Sequence, residues 1–188
     1  MRFPFFSIYI FIFIFLLLQH CSLGSHDLIH RSCKKAAKSD PNLSYTFCVT
    51  SLEANLKNKK NVTDLEELAF ASLDLTTYNA TKIASKISML LRQKIKVIDH
   101  PYAKNCLKDC QQLYSDAVSS LRDAKRDFKW RNFDRVNVEI SSAMDASSTC
   151  QDGFGEKKGE VSPLTQENNV FFQWTVISLV FINMFAHQ

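Results

Sequence analysis

The cysteines are the residues of this chain whose side chains offer the most evident chemistry. Cys33, Cys48, Cys110 and Cys150 lie far apart in the sequence, and Cys106 precedes Cys110 by about one helical turn. Cysteines at such positions in an exported chain form disulfides more often than they act as nucleophiles. No second pair of ligands at zinc-site spacing accompanies Cys106 and Cys110. We therefore expect cross-links, with Cys106 either a buried free thiol or a competitor of Cys110 for Cys150.

A histidine pair is the other candidate for chemistry. His26 and His30 have the spacing of one helix face and could chelate a metal ion together. We see no third ligand near them, so we interpret the pair as solvated and expect neither a metal nor a cofactor. The chain also has no glycine-rich phosphate loop and no Gly-x-Ser-x-Gly nucleophile motif. This absence of a catalytic constellation indicates a binding protein rather than an enzyme.

The first 24 residues have the pattern of a secretory signal peptide. Arg2 supplies a positive charge, an apolar run covers residues 3–18, and Ser22 and Gly24 are small residues suited to precede a cut. An uncleaved membrane anchor is the rival interpretation, but the run is slightly short for a span of about 20 residues. We predict cleavage near Gly24, which leaves one domain over residues 25–186.

Three Asn-x-Ser/Thr triplets agree with export. They begin at Asn42, Asn61 and Asn79, and each is a candidate for N-glycosylation. Asn61 is the strongest candidate because it lies in a polar stretch rich in lysine and asparagine. Asn42 falls in a predicted turn and Asn79 within a predicted helix.

The charge of the chain restricts its partners. The net charge is +4 and 22% of the residues are charged. The chain lacks the dense block of lysine and arginine that is typical of a nucleic-acid binder. A mildly basic secreted protein would instead stay near acidic wall polysaccharides or meet acidic clefts on enzymes. We expect a secreted monomer that binds neither nucleic acid nor membrane.

The secondary structure that must position these residues is predicted to be all α-helical. Only four glycines and four prolines interrupt 188 residues. Residues 27–55 are predicted to form a hairpin of two short helices around a turn at 39–42. Cys33 and Cys48 would pin this hairpin, with a stabilisation of about 3 kcal/mol.

Four long helices are predicted to follow over residues 63–186. Each has apolar side chains at three-and-four spacing, and the short connections predict an up-down-up-down bundle. The first would begin at a capping box in which Thr63 caps and Glu66 reciprocates. Cys110 lies near the start of the second long helix and Cys150 at the end of the third, and antiparallel packing would bring these two ends side by side. In chain order, the four helices are predicted to cover 63 to about 98, 101–129, 133 to about 150, and 163 to about 186. A glycine-rich loop at 153–159 is predicted between the third and the fourth.

The last helix is apolar enough to suggest a membrane tail or a lipid-anchor signal. Four polar residues interrupt it, and its apolar part at 170–186 is short for a span. We therefore predict a core helix of the bundle. The interrupting residues are Gln173, Thr175, Ser178 and Asn183.

Four stretches of the chain resemble a known family, the plant invertase and pectin methylesterase inhibitors. Residues 33–52, from Cys33 through Ser39-Asp40-Pro41-Asn42 to Cys48, resemble the N-terminal hairpin of that family. Residues 107–118 around Cys110 and 148–154 around Cys150 resemble its third- and fourth-cysteine helices. Residues 162–169 resemble the start of its last helix. The resemblance covers nearly the whole predicted mature chain.

The resemblance implies a four-helix bundle with an N-terminal hairpin and two disulfides. The family pairing maps onto Cys33–Cys48 and Cys110–Cys150, and it leaves Cys106 as a free thiol. The implied function is that of a secreted inhibitor that binds an acid invertase 1:1 and blocks its active-site cleft. The alternative within the family is a pectin methylesterase inhibitor. An alternative of a different class is a secreted helical bundle without inhibitory activity, allergen-like or signalling.

The resemblance also suggests where a target would be contacted. In invertase-inhibiting members a Pro-Lys-Phe tripeptide between bundle helices enters the cleft of the enzyme. The comparable stretch here is 129–133, which has no proline. Because retaining glycosidases use two close carboxylates, Lys129 or Arg131 would supply the charge, with Trp130 or Phe133 as the apolar anchor. The alternative is that the cations are solvated and the aromatic side chains close the end of the bundle.

Overall fold

The structure is a computed structural model that describes residues 25–57, 62–92 and 101–187. The predicted signal peptide, the sequon at Asn61 and the predicted end of the first long helix lie outside the described residues. The described ranges contain six helices and no strand, which confirms the all-α prediction. They are α1 (25–39), α2 (Tyr45–Leu56), α3 (Leu65–Arg92), α4 (Pro101–Lys129), α5 (Phe133–Gly155) and α6 (Thr165–Ala186).

Helices α3 to α6 form the predicted four-helix bundle. Helix α4 packs against α3 and α5, and α6 closes the ring by packing against the same two helices. Each helix turns its apolar stripe inward because burial of that stripe is what stabilises helices of this composition. The largest fully buried aromatic side chains are Tyr114, Phe154, Phe171 and Phe181.

The hairpin of α1 and α2 is cross-linked and docked on α6. A disulfide joins Cys33 to Cys48, and the Ser44 hydroxyl caps α2 by accepting from the backbone N–H of Phe47 at 3.3 Å. The Gln173 side chain of α6 accepts from the Ser44 N–H at 2.9 Å and donates to the Asn42 carbonyl at 2.6 Å. These bonds fix the hairpin turn against the bundle.

A second disulfide, Cys110–Cys150, joins α4 to α5 beside a buried polar network. The Tyr114 hydroxyl donates to the Asn168 side-chain oxygen at 2.8 Å, and the Asn168 amide donates to Gln151 at 3.1 Å. Burial, with a smaller contribution from the charge of Glu167, raises the pKa of Tyr114. The phenol therefore keeps its proton and remains a donor, so α4, α5 and α6 are tied together at one level.

The capping of α3 differs from the prediction by one residue. The carboxylate of Asp64, rather than the hydroxyl of Thr63, accepts from a first-turn amide, the N–H of Glu67 at 2.9 Å. Glu67, rather than Glu66, reciprocates by accepting from the N–H and the hydroxyl of Thr63 at 2.6 and 3.0 Å. The Glu66 carboxylate is thereby left for another contact.

The prediction of a glycine-rich loop at 153–159 is partly wrong, because α5 continues through Gly153 to Gly155. The extension buries Phe154, which lies one turn beyond Cys150 on the same face. The Gly153 carbonyl accepts from the Tyr102 hydroxyl of α4 at 2.7 Å. Neither contact is visible in the local sequence, where glycine indicates a helix end. The connection to α6 therefore covers residues 156–164, and α6 begins at Thr165, two residues after Pro163.

Helix α6 has 22 residues and is the one helix in the described ranges that is long and apolar enough to cross a membrane. The expectation that it is too short was therefore wrong. Its packing is that of a core helix, however, because it lies against α3 and α5. Thr175 and Ser178, two of its interrupting polar residues, are buried. The Ser178 hydroxyl bonds to that of Thr76 at 2.8 Å, so the polar groups are satisfied within the bundle.

Cys106 is a buried free thiol. Its sulfur lies 3.4 Å from the Gly153 carbonyl oxygen, to which it donates. Burial raises the pKa of the Cys106 thiol, which lowers its thiolate fraction and hence its reactivity. Cys110 is paired with Cys150 in this arrangement.

The two disulfides should contribute unequally to stability. Replacing Cys110 and Cys150 together by serine should lower the free energy of unfolding by about 4 kcal/mol, and replacing Cys33 and Cys48 by about 3 kcal/mol. The difference arises because the sequence separations are 40 and 15 residues. Urea unfolding followed by circular dichroism measures both. A Cys106→Ser background prevents exchange, and a larger loss for the hairpin pair would contradict the prediction.

Candidate functional site at the α4–α5 turn

The turn between α4 and α5 is closed by hydrogen bonds from its own backbone. The N–H of Arg131 donates to the Phe128 carbonyl at 3.0 Å, and the N–H of Asn132 donates to the Asp127 carbonyl at 3.0 Å. This is the Schellman arrangement of a helix C-terminus, which needs a left-handed residue just after the cap. Arg131 takes that position with a φ of 61°. Glycine is the usual residue there, because the left-handed conformation costs other residues about 1–2 kcal/mol.

Contacts with two other helices hold Arg131 in this conformation. One guanidinium nitrogen donates to both carboxylate oxygens of Glu66 on α3, at 2.9 and 3.1 Å. The same guanidinium lies over the ring of Phe185 on α6, 5.3 Å from its centroid. The expectation that Arg131 is available to a target is therefore weakened, because its charge already has a partner.

Phe133 belongs to an aromatic cluster at this end of the bundle. Its ring centroid lies 5.6 Å from that of Phe128 and 5.6 Å from that of Phe185. Phe70 of α3 adds a further ring, 5.4 Å from Phe128. The cluster joins all four bundle helices. For Phe133 the structure thus favours the alternative interpretation, that the aromatic side chain closes the bundle end.

Lys129, Trp130 and Arg131 are all exposed to solvent, but the Arg131 side chain, 59% exposed, is held by its ion pair with Glu66. Trp130 is 70% exposed, and its ring is covered on one side by the guanidinium of Arg126 at 5.7 Å. The Lys129 ammonium lies 5.9 Å from the centroid of Phe70. Within the described ranges no carboxylate lies at ion-pair distance from Lys129. The turn therefore presents one aromatic ring and one cation without an ion-pair partner, beside the paired guanidinium of Arg131.

A concavity of about 690 Å³ lies beside the turn, between the start of α3 and the end of α4. Four carboxylates line it, and each already has a partner. Asp64 and Glu67 cap α3, Glu66 binds Arg131, and Asp74 pairs with Lys125. Of these four, Glu66 and Asp74 have cationic partners, whereas Asp64 and Glu67 bond to neutral groups. Lys129 and Arg131 also line the concavity, so it adjoins the turn, whose outward-facing residues remain the candidate site.

The histidine pair lies apart from this site, on the hairpin. The Nε2 atoms of His26 and His30 each lie 3.0 Å from Oε1 of Glu53 on α2. The expectation of no third ligand near the pair was therefore wrong. It considered only the residues next to α1 in sequence, and Glu53 comes from the other arm of the hairpin.

Two of the three sequons fall within the described residues. Asn42 is exposed at the hairpin turn. Asn79 is half-buried in α3, where its side-chain amide donates to the Leu75 carbonyl at 2.8 Å. Glycosylation stays a prediction at all three sites, and the exposure favours Asn42 over Asn79.

A family comparison identifies this combination of hairpin, bundle and disulfides. The model of the plant invertase/pectin methylesterase inhibitor family matches residues 27–180. The chain belongs to this family. The match includes the hairpin, both disulfides and the α4–α5 turn.

Individual relatives agree with the assignment. "Putative invertase inhibitor" of Platanus acerifolia is 42% identical over 174 residues, which cover 93% of each chain. "Pectinesterase inhibitor 12" of Arabidopsis thaliana is 36% identical over 171 residues, covering 91% of this chain and 95% of the relative. The crystal structure of a mutant form of an Arabidopsis pectin methylesterase inhibitor has the same fold. Its TM-score is 0.63 at 24% identity, with 74% of this chain and 89% of that chain covered.

These comparisons confirm two predictions. The family and these relatives are inhibitors, so the chain is an inhibitor-family protein rather than an enzyme. The solved structure confirms the helical bundle.

The conformation of Arg131 can be tested by comparing two substitutions that remove the same side chain contacts. Arg131→Gly should be more stable than Arg131→Ala by about 1 kcal/mol, because only alanine keeps the cost of a positive φ. Urea unfolding gives both free energies. Arg122, exposed on α4, is the matched control, and there alanine should be the more stable by about 1 kcal/mol. The same order at both positions would contradict the assigned conformation.

Proposed function

We propose that this protein is a secreted inhibitor of an acid invertase that binds 1:1 and covers the active-site cleft with its α4–α5 turn. Support for the target comes from the Platanus relative, whose name is that of an invertase inhibitor and whose identity exceeds that of the pectinesterase inhibitor, 42% against 36%. The observation that carries the contact surface is the exposure of Trp130 on a turn that is fixed on both sides.

The rigidity of the turn is what suits it to binding. Side chains that are ordered before binding lose little conformational entropy on association, and tryptophan is enriched among the residues that dominate binding energy. The Schellman bonds fix the backbone of Trp130, and the Glu66 pair fixes the next residue. The Arg126 guanidinium, 5.7 Å from the centroid of the indole ring, restricts the side chain on one side, so Trp130 is a partly pre-ordered aromatic anchor.

The proposed contact set is narrower than the sequence alone suggests. Lys129 supplies the charge and Trp130 the apolar surface, whereas Arg131 and Phe133 support the turn from behind. An ammonium group suits a cleft that contains the two close carboxylates of a retaining glycosidase. No proline is needed to stiffen this turn, because hydrogen bonds and the Glu66 ion pair hold it.

The proposal includes the route by which the protein reaches its target. The signal peptide over residues 1–24 would be cleaved near Gly24, and the domain over 25–186 would enter the cell wall as a monomer, with the vacuole as the alternative. The net charge of +4 supports retention near acidic wall polysaccharides. Asn61 and Asn42 are the proposed glycosylation sites, with Asn79 the weakest of the three.

A pectin methylesterase is the second candidate target, and its support is the 36% identity to the Arabidopsis relative over 91% of this chain. Titrating the purified, oxidised protein against a cell-wall invertase and against a pectin methylesterase distinguishes the two. Loss of invertase activity alone supports the proposal. Loss of pectin methylesterase activity alone replaces it with the second candidate, and loss of neither favours a bundle without inhibitory activity.

Trp130→Ala should raise the inhibition constant for invertase about 30-fold, which corresponds to about 2 kcal/mol. Lys129→Gln should raise it less, and the effect should shrink with added salt. Tyr78→Ala is the matched control, because Tyr78 is also an exposed aromatic residue, 57% accessible on α3, and lies away from the turn. Equal inhibition by Trp130→Ala and the unsubstituted protein would place the contact elsewhere.

A further inference from the structure

The His26–His30–Glu53 cluster joins the two arms of the hairpin at its open end. The two imidazole rings stack with centroids 4.2 Å apart, and one ligand atom from each of the three residues lies within 4.8 Å of the others. Helix geometry explains the convergence. His26 and His30 share a face of α1. The disulfide places Cys33 opposite Cys48 in an antiparallel helix pair, so Glu53 of α2 lies level with the stretch of α1 between His26 and His30.

The spacing of the cluster is close to that of a metal site. A tetrahedral zinc ion with bonds of about 2.0–2.1 Å has neighbouring ligand atoms about 3.3 Å apart. Glu53 Oε1 lies 3.0 Å from each histidine Nε2. To admit an ion, the two Glu53–histidine distances would lengthen by about 0.3 Å. The exposed His26 side chain would also turn, because the two imidazole rings are stacked in the metal-free arrangement.

A hydrogen bond between His30 and Tyr45 prepares one ligand for the ion. The Nδ1 atom of His30 lies 3.1 Å from the Tyr45 hydroxyl oxygen. In the tautomer that donates from Nδ1 to this oxygen, Nε2 carries a lone pair and faces the Glu53 carboxylate. Without an ion, the 3.0 Å separation of Nε2 and Oε1 is that of a hydrogen bond in the other tautomer, and a bound cation would replace the proton between them.

The surroundings of the cluster leave it accessible to a metal ion and to water from the solvent. The His26 side chain is 65% exposed, and the others are about a third exposed. The neighbouring carboxylate of Asp27 is directed to Arg31, at 3.0 Å. Two imidazoles, one carboxylate and a water form the ligand set of open zinc sites, and nitrogen ligands also favour Cu²⁺ over other divalent ions.

We infer that His26, His30 and Glu53 bind a divalent transition-metal ion, with Zn²⁺ as the ion to test. The ion would clamp the end of the hairpin that the Cys33–Cys48 disulfide leaves open. Because α1 and α2 are short, metal binding should appear as a gain in hairpin stability.

The test uses untagged protein purified from a secreting host, titrated with Zn²⁺ in a calorimeter. We expect one ion per chain, a rise in Tm of about 5 °C when free Zn²⁺ exceeds its Kd about 100-fold, and reversal by a chelator. His30→Gln and Glu53→Gln should remove the saturable binding and the shift in Tm. Tyr45→Phe should weaken binding about 10-fold through the tautomer of His30.

Controls separate this site from the other possible ligands. His187→Gln and Cys106→Ser should bind Zn²⁺ as the unsubstituted protein does. Circular dichroism of each variant without metal shows whether it is folded. We expect each variant to fold, because the three ligand side chains are partly exposed. Unchanged affinity in folded His30→Gln, or no saturable binding of Zn²⁺ by the unsubstituted protein, would overturn the inference.

Discussion

The fixed register of α4 against α5 is the constraint on which the rest of the structure depends. The turn sets it at one end and the Cys110–Cys150 disulfide at the other. At 1.5 Å per residue, Cys110 lies about 28 Å before the end of α4, and Cys150 lies about 26 Å after the start of α5. The near equality of these lengths places the two cysteines level, with their Cα atoms 5.0 Å apart. Asn168 and Tyr114 then place α6 at the same level.

The tight register accounts for the left-handed conformation in the turn, which an arginine rather than a glycine adopts here. So short a connection requires a left-handed residue after α4, and Arg131 bears the conformational cost that glycine would avoid. Its side chain offsets this cost through Glu66 and Phe185. These contacts are exposed and each is modest, but together they join the turn to α3 and α6. The result is a stiff support for Trp130.

Sequence patterns predicted the elements well and the contacts between them less well. The limits of α4 agreed with the prediction because proline and a polar turn mark its ends. The cap of α3 was displaced because Thr63 and Asp64 are both good caps, and each is followed three residues later by a glutamate. Pairing between distant residues decided the roles of Arg131 and Phe133, which no local pattern encodes. Glu53 could have been found, because the Cys33–Cys48 pairing sets it level with the histidine pair.

Helix α6 is the physical connection between the two surfaces of interest. Its middle holds the hairpin through Gln173 and through the ring of Trp174, whose centroid is 5.9 Å from that of Phe47. Its end supplies Phe185, which packs under Arg131 and against Phe133. Within the described residues, α6 is therefore one path along which a change in the hairpin could reach the turn. Because α6 could shift only by repacking against both α3 and α5, we expect the hairpin and the turn to act independently.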